Sequence, residues 1–391
     1  MGKVGFVAVD SNSKWLGGRY YLQNLIKCNS ILEAESRLDI CDIWWENFPK
    51  ESDPFLEVRQ ILGVPTVINL SKSIFGRATR SLRRYLGGFQ GARDLFAEKE
   101  IDVFFPIVPC ENSYTPYVFW LPDFQYLRRP DLLSQEMCQY YESYFRYNVE
   151  RASKVILSSD DAKQDFVKVY PEHIEKARVV RFCSVPDYSW WELIPNQVAK
   201  KYNLPDQFFI VCNQFTKHKN YLTLINALSH LQKSGHENIY IVCTGSHFDH
   251  RNENYIDQVR SLIANYNLDA QIYILGMLPR AEQIALIRKS MAVLQPSLFE
   301  GWSTVIEDAK TLGKMIIASN LTVNQEQLGS DHRFYLDPED SISWSIAMKD
   351  AWETLKPGPD FEQEKKGLAY LSNAQLNCGL EFSQIINEAK L

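Results

Sequence analysis

A chain of 391 residues, 45% hydrophobic and 23% charged, exceeds what one hydrophobic core organises and points to two globular domains. A formal net charge of −6 argues against a nucleic-acid binder, which needs a basic surplus to neutralise phosphates. The eight cysteines are scattered, several within apolar strand-like runs and none in a Cys-x-x-Cys pair, so buried thiols are expected rather than a zinc or redox motif.

The apolar run before Asp10 is too short for a secretory signal, and no stretch reaches the roughly eighteen apolar residues of a membrane span, so a cytoplasmic protein is expected. From there short apolar runs alternate with longer amphipathic ones, the pattern of βα units feeding a parallel sheet. In the first half strands are expected over residues 4–9, 40–45, 101–105, 117–121, 155–158 and 179–182. Gly17 and Gly18 follow the first of them and open a helical pattern. Between Arg59 and Arg93 there is no acid, while Lys72, Arg77, Arg80, Arg83 and Arg84 accumulate beside Ala78, Leu82, Tyr85 and Phe89 at helical spacing. This basic amphipathic segment, 72–89, suits peripheral contact with an anionic membrane face or a lipid-linked acceptor, and equally an ordinary basic helix over the core. Asp160 and Asp161 after Ser158 and Ser159 read as a helix start rather than a metal site.

Prolines 186 and 205 bracket a stretch with Trp190 and Trp191, after which the βα rhythm starts afresh. The boundary is placed there, giving a first domain over 1–190, a second over 191–375, and a last helix over 376–391 for packing back on the first. Strands of the second half are expected at 208–212, 239–244, 272–275, 292–295, 315–318 and 334–336.

The most informative segment runs from Pro296 to Gly313, PSLFEGWSTVIEDAKTLG, which leaves an apolar strand, crosses a loop and enters a helix. Thr304 and Glu307 have capping-box spacing, so the helix is expected to begin near Val305. A helix start beside Gly301 offers backbone N–H groups to a pyrophosphate. Glu300 and Asp308 flank it as acceptors for sugar and ribose hydroxyls. The same caps and acids also occur where they only complement a helix dipole.

The segment resembles the signature of the retaining glycosyltransferase family 4, in which one glutamate is followed after seven residues by a second. The resemblance implies an α/β chain of GT-B type, two Rossmann-like domains with parallel sheets facing across a cleft. By position Glu300 meets the donor sugar, the backbone of Gly301, Trp302, Ser303 and Thr304 meets the phosphates, and Asp308 meets the ribose. Aspartate there is one methylene short, so either Asp308 serves or Glu307 substitutes from an adjacent angle. Asn213 to Ala227 resembles the family's first donor-domain loop. Lys219 matches its lysine, while Gln214 stands where the family has arginine, with Lys217 or His218 to compensate. Gly276, Met277 and Leu278 match the loop that meets the nucleotide base, and Gly17 and Gly18 the glycine pair that approaches the donor phosphate. In the first domain Pro122 stands at a position often held by histidine, and Asp123 follows it as the nearest group to take that role.

What the resemblance implies is transfer of a sugar, with retention, from a nucleotide-sugar donor to a glycan or lipid-linked acceptor. It implies Glu300, Lys219 and Asp123 as catalytic groups, no metal and no cofactor, in a cytoplasmic or peripherally membrane-associated enzyme of polysaccharide or glycoconjugate synthesis. Two other readings share the architecture: a sugar-nucleotide epimerase or hydrolase, and an inactive homologue that binds nucleotide or glycan.

Overall fold

The computed structural model describes residues 2–7, 16–44, 66–69, 100–107, 115–249, 251–252 and 254–390. The basic segment 72–89 lies outside the described residues. By contacts the chain divides into two units, Met1–Asp123 with Tyr141–Cys183 and Asn373–Leu391, and Phe124–Tyr140 with Ser184–Ser372.

In unit 1 the strands are β1 (Lys3–Val7), β2 (Asp39–Trp44), β3 (Thr66–Asn69), β4 (Val103–Phe105), β5 (Val118–Leu121), β6 (Lys154–Leu157) and β7 (Ala177–Val179). They form two parallel sheets, in the orders β3-β2-β1-β4 and β5-β6-β7. A parallel bridge between Phe104 and Tyr117 joins them at the β4/β5 edge. Strands with both faces covered read as unbroken apolar runs, and β4 and β5 are buried at every position. The helix Leu16–Ser30 starts one residue before the glycine pair. Ser159 caps the helix Asp160–Val169, its side chain accepting from the Ala162 N–H at 3.0 Å, with both aspartates in the first turn. The C-terminal segment belongs here because Phe382 packs its ring edge-on against Phe6 and Phe105, at 5.7 and 5.0 Å between centroids. Gly379 lets that helix approach the Leu16–Ser30 helix, since a Cβ would stand 2.6 Å from the Cys28 carbonyl oxygen.

Unit 2 holds β8 (Phe209–Cys212), β9 (Ile241–Thr244), β10 (Ile272–Gly276), β11 (Val293–Gln295), β12 (Ile316–Ser319) and β13 (Tyr335–Leu336). Its single parallel sheet has the order β10-β9-β8-β11-β12-β13. This is the doubly wound arrangement in which the direction of winding reverses between β8 and β11, and such a reversal opens a crevice at the strands' C-terminal ends. One face is filled by a cluster around Phe215, Tyr221, Leu228 and Trp344, the other by one around Trp190, Phe208, Leu286 and Ile306.

Two assignments of the boundary differ from the expectation. Contacts divide at Cys183/Ser184 rather than at 190/191, because Trp190 is 3% exposed within the second cluster of unit 2. Residues 124–140 belong to unit 2, where the Arg251 guanidinium donates to Gln125 Oε1 at 3.2 Å. The last helix is also longer than expected, running Phe361–Glu388 and passing from unit 2 to unit 1 between Ser372 and Asn373. In unit 2 it presses Gly367 onto the helix Thr304–Thr311, where a Cβ would lie 2.3 Å from the Thr311 carbonyl oxygen.

Seven described cysteines are free thiols, six buried and Cys138 partly exposed; Cys28 and Cys183 stand 3.7 Å apart, sulfur to sulfur. Among the described residues no helix is long and apolar enough to cross a membrane.

Candidate functional site

The crevice at the β8/β11 reversal is lined by the loops that follow those two strands. After β8, Asn213 is buried, and its amide donates to Gln295 Oε1 at 3.0 Å while its carbonyl accepts from the Tyr221 hydroxyl at 2.6 Å. The chain then makes a short 3-10 turn, Lys217–Lys219, and Asn220 ends it in the left-handed region (φ 55°) before the helix Tyr221–Lys233 begins. Asparagine tolerates that conformation, and here its amide is also held, donating to the Pro296 and Pro338 carbonyls at 3.0 and 2.7 Å. The turn delivers Lys219 to Glu300, with Nζ 2.6 Å from Oε1 and the two side chains 17% and 7% exposed.

Glu300 comes from the loop after β11. The same Oε1 accepts a second hydrogen bond, from Gln295 Nε2 at 2.7 Å. A chain of donors therefore runs Asn213 to Gln295 to Glu300, with Lys219 closing it, and orients a largely buried carboxylate beside an ammonium at the topological reversal. Gln295 was not among the residues singled out from the sequence. Its signal was there: a glutamine with no exposure as the last residue of an apolar strand must find a partner, and it finds Glu300.

Ser303, not Thr304, caps the next helix. Ser303 has extended backbone (φ −90°, ψ 115°), its hydroxyl accepts from the Ile306 N–H, and the helix begins at Thr304 rather than Val305. The capping box does not form, because Glu307 is drawn elsewhere. It has no exposure and accepts from Gln327 Nε2 at 2.8 Å, Lys310 Nζ at 3.1 Å and the Tyr370 hydroxyl at 3.3 Å, burial pushing its carboxyl above the usual range. Glu307 thus faces inward and does not substitute for Asp308. The Ser303 N–H, one of the expected phosphate contacts, is already donated to Gln327 Oε1 at 3.1 Å, while Gly301, Trp302 and Thr304 are only partly buried.

Asp308 is placed differently from the expectation as well. It is 1% exposed, with Oδ1 2.5 Å from Arg280 Nη2 and Oδ2 buried without a partner among the described residues, so Arg280 at 23% exposure covers it. Around the far end of the crevice, Gly276 takes φ +72°, a conformation suited to glycine, and its carbonyl accepts from the Gly245 N–H at 2.8 Å. Met277 beyond it is 55% exposed and Leu278 partly buried.

Gln214 is partly buried. His218 does not compensate for the arginine: burial, then the neighbouring Lys219, Arg251 and Arg129 cations, hold its imidazole well below the usual range, so it is neutral at pH 7. Lys217 is exposed. Gly17, Gly18 and Asp123 all belong to unit 1: Gly18 is buried, Gly17 partly buried in the first helical turn, and Asp123 partly buried just beyond β5.

Residues 196–356 match the profile of the family described as glycosyl transferases group 1. The matched region lies wholly within unit 2. The O-antigen chain mannosyltransferase RfbU of Salmonella typhimurium is 24% identical over 242 residues, which are 62% of this chain and 62% of that relative. The match thus spans less than two thirds of the relative's length. Among solved structures, Anabaena HepE in complex with UDP and glucose superposes with a TM-score of 0.71 at 15% identity, covering 99% of this chain and 100% of that one. A glycosyltransferase from Rickettsia africae gives 0.67 at 17% identity, over 99% and 98%. WaaG, a glycosyltransferase involved in lipopolysaccharide biosynthesis, gives 0.61 at 15%, over 98% and 99%. The fold is therefore GT-B, and the Lys219–Glu300 pair lies within the region that the group 1 profile matches.

Proposed function

We propose that the protein is a glycosyltransferase that binds a nucleotide-sugar in unit 2 and transfers the sugar, with retention, to a glycan or lipid-linked acceptor. The observation that carries this is the 2.6 Å Lys219–Glu300 contact at the β8/β11 reversal, a cation and a carboxylate together where a doubly wound sheet receives ligands. The pair is suited to exchange partners: an entering diphosphate draws the Lys219 ammonium, and the Glu300 carboxylate, still held by Gln295, accepts from sugar hydroxyls. The departing phosphate accepts the acceptor's proton while Lys219 stabilises the charge left on it. That chemistry needs a cation and no carboxylate nucleophile. The group 1 family match and the UDP and glucose bound by Anabaena HepE support the reading.

The test is a thermal-shift screen against UDP, GDP, ADP, CMP and their common sugar conjugates. A ligand that binds only the folded protein raises its transition by mass action, about 2.7 kcal/mol at a hundred times Kd. Selective stabilisation by one nucleotide is expected and names the donor class; no shift by any at millimolar concentration rejects the donor site. Cytoplasmic location and peripheral membrane contact through residues 72–89 form part of the same proposal, motivated by the acid-free basic run. Replacing Arg80, Arg83 and Arg84 by glutamine is expected to reduce co-sedimentation with anionic liposomes, and unchanged binding removes the membrane contact.

A further inference from the structure

Three thiols of unit 1 converge from segments distant in sequence. Cys28 lies in the last turn of the helix Leu16–Ser30, Cys183 beyond β7, and Cys378 on the helix Phe361–Glu388. They are 0%, 1% and 1% exposed. Cys28 is the centre: its sulfur is 3.7 Å from that of Cys183, and Cys378 is its second hydrogen-bond partner. The close approach at Gly379, where a Cβ would stand 2.6 Å from the Cys28 carbonyl oxygen, brings Cys378 against the turn that carries Cys28.

A cysteine buried singly is only a small apolar side chain. Cys212 and Cys243 illustrate this: they sit on the paired strands β8 and β9, but one belongs to each of the two core clusters of unit 2, on opposite faces of the sheet. Their sulfurs cannot be joined while the strands stay paired. Cys28 and Cys183 differ, because a disulfide spans about 2.0 Å and about 1.7 Å of approach, within the reach of side-chain rotation, would close it. The three thiols do not form a group that could hold a metal ion, so the chemistry open to them is bond formation between sulfurs. The hydrogen-bonded neighbours, Cys183 foremost, and then burial hold the Cys28 thiol well above the usual range. The cluster therefore rests as thiols that react slowly, and its burial excludes bulky oxidants and admits a small neutral one.

We infer that Cys28 and Cys183 are an oxidation site that hydrogen peroxide closes to a reversible disulfide. The Cys28 sulfur loses its proton and attacks one peroxide oxygen; the O–O bond breaks, and the departing hydroxide takes up the proton as water. The Cys183 sulfur then displaces the oxygen of the resulting sulfenic acid, forming the S–S bond and releasing a second water. The two thiols together lose two electrons and the peroxide gains them; a dithiol reverses the bond by exchange. The disulfide would link positions 155 apart, from the end of the first helix to the residue at which the chain leaves unit 1 for Ser184. The site is independent of the donor-site reading.

The test uses the full chain with Cys110→Ser, which lies outside the described residues, and Cys138→Ser, the partly exposed thiol. It is treated with hydrogen peroxide, quenched with catalase, alkylated with iodoacetamide under denaturing conditions and mapped by peptide mass spectrometry. A Cys28–Cys183 link is expected at about tenfold the yield of any link to Cys212 or Cys243. Dithiothreitol is expected to remove it, and the oxidised protein to unfold at a higher urea concentration than the reduced one. Cys183→Ala is expected to abolish both the link and the gain. A second arm needs no core variant: oxidised while unfolded in urea, the same chain is expected to lose its preference for this pair. A Cys28 that stays alkylatable after peroxide, passes to the sulfinic acid or links to Cys378 instead overturns the inference.

Discussion

Replacing Glu300 by glutamine is expected to lower kcat about a hundredfold or more while the melting transition stays within a few degrees of wild type. The carboxylate is 7% exposed and receives both Lys219 Nζ, at 2.6 Å, and Gln295 Nε2, at 2.7 Å, on one oxygen. Glutamine keeps the volume and can keep one of those acceptor contacts, so packing is preserved. It cannot hold an ammonium, and Lys219 is released from the geometry that aims it. Sugar hydroxyls also lose the charged acceptor, whose hydrogen bonds are about twice as strong as neutral ones. Because the two residues act as one unit, Lys219→Met in the Glu300→Gln background is expected to add far less than it does alone. Unaltered turnover in Glu300→Gln, measured by product formation with the nucleotide-sugar that the thermal screen selects, removes the central assignment.

Glu364→Ala is expected to destabilise unit 2 by about 3–5 kcal/mol, the largest stability effect foreseen for a single substitution here. Glu364 and Arg288 are 7% and 5% exposed, with the guanidinium Nε at 2.7 Å and Nη2 at 3.3 Å from the two carboxylate oxygens. The pair fastens the helix Phe361–Glu388 to the helix Arg280–Lys289, the helix that carries Arg280. Removal of the acid leaves a buried guanidinium uncompensated. It does so beside Lys314, whose ammonium donates to the Arg288, Ser290 and Gly358 carbonyls and is already pushed down to about 8 by burial. Glu364 is the first of the neighbouring acids that favour its charged form, so the alanine variant weakens two cations at once. The double replacement Arg288→Met/Glu364→Leu removes charge and partner together and is expected to recover most of the loss. Urea unfolding followed by tryptophan fluorescence measures both; a Glu364→Ala midpoint equal to wild type would show that the pair is not what holds the helices.

Much of the fold was legible because parallel strands are buried on both faces. Such strands must be short unbroken apolar runs, and Val118–Leu121 or Phe209–Cys212 is of that kind. Where that logic weakens, so did the reading: Thr66–Asn69 is a four-residue strand with only two aliphatic residues and passed unnoticed. In the site, Glu300 and Lys219 were found by a motif and by a loop position, and the structure brings them into contact although 81 positions separate them.

Local chemistry alone determined the alternation of strands and helices, the hydroxyl-rich start of the helix after Glu300, and the identity of the acid and the cation. Each of these depends on neighbours within a few residues, through periodicity, turn preference and capping. Tertiary structure decided the rest, because each remaining question is a competition among partners distant in sequence. Ser303 rather than Thr304 became the cap, and Glu307 left the capping box, because Gln327 from a later helix offers its amide to both. Residues 124–140 joined unit 2 and Trp190 joined its core, overriding a boundary drawn from proline spacing. His218 lost its charge to burial and to cations brought from Lys219, Arg251 and Arg129. Asp308, an acid that the motif directs to a ligand, was claimed by Arg280, and no pattern of spacing could reveal that, since the energy of an ion pair depends on burial and distance, which only the folded chain defines.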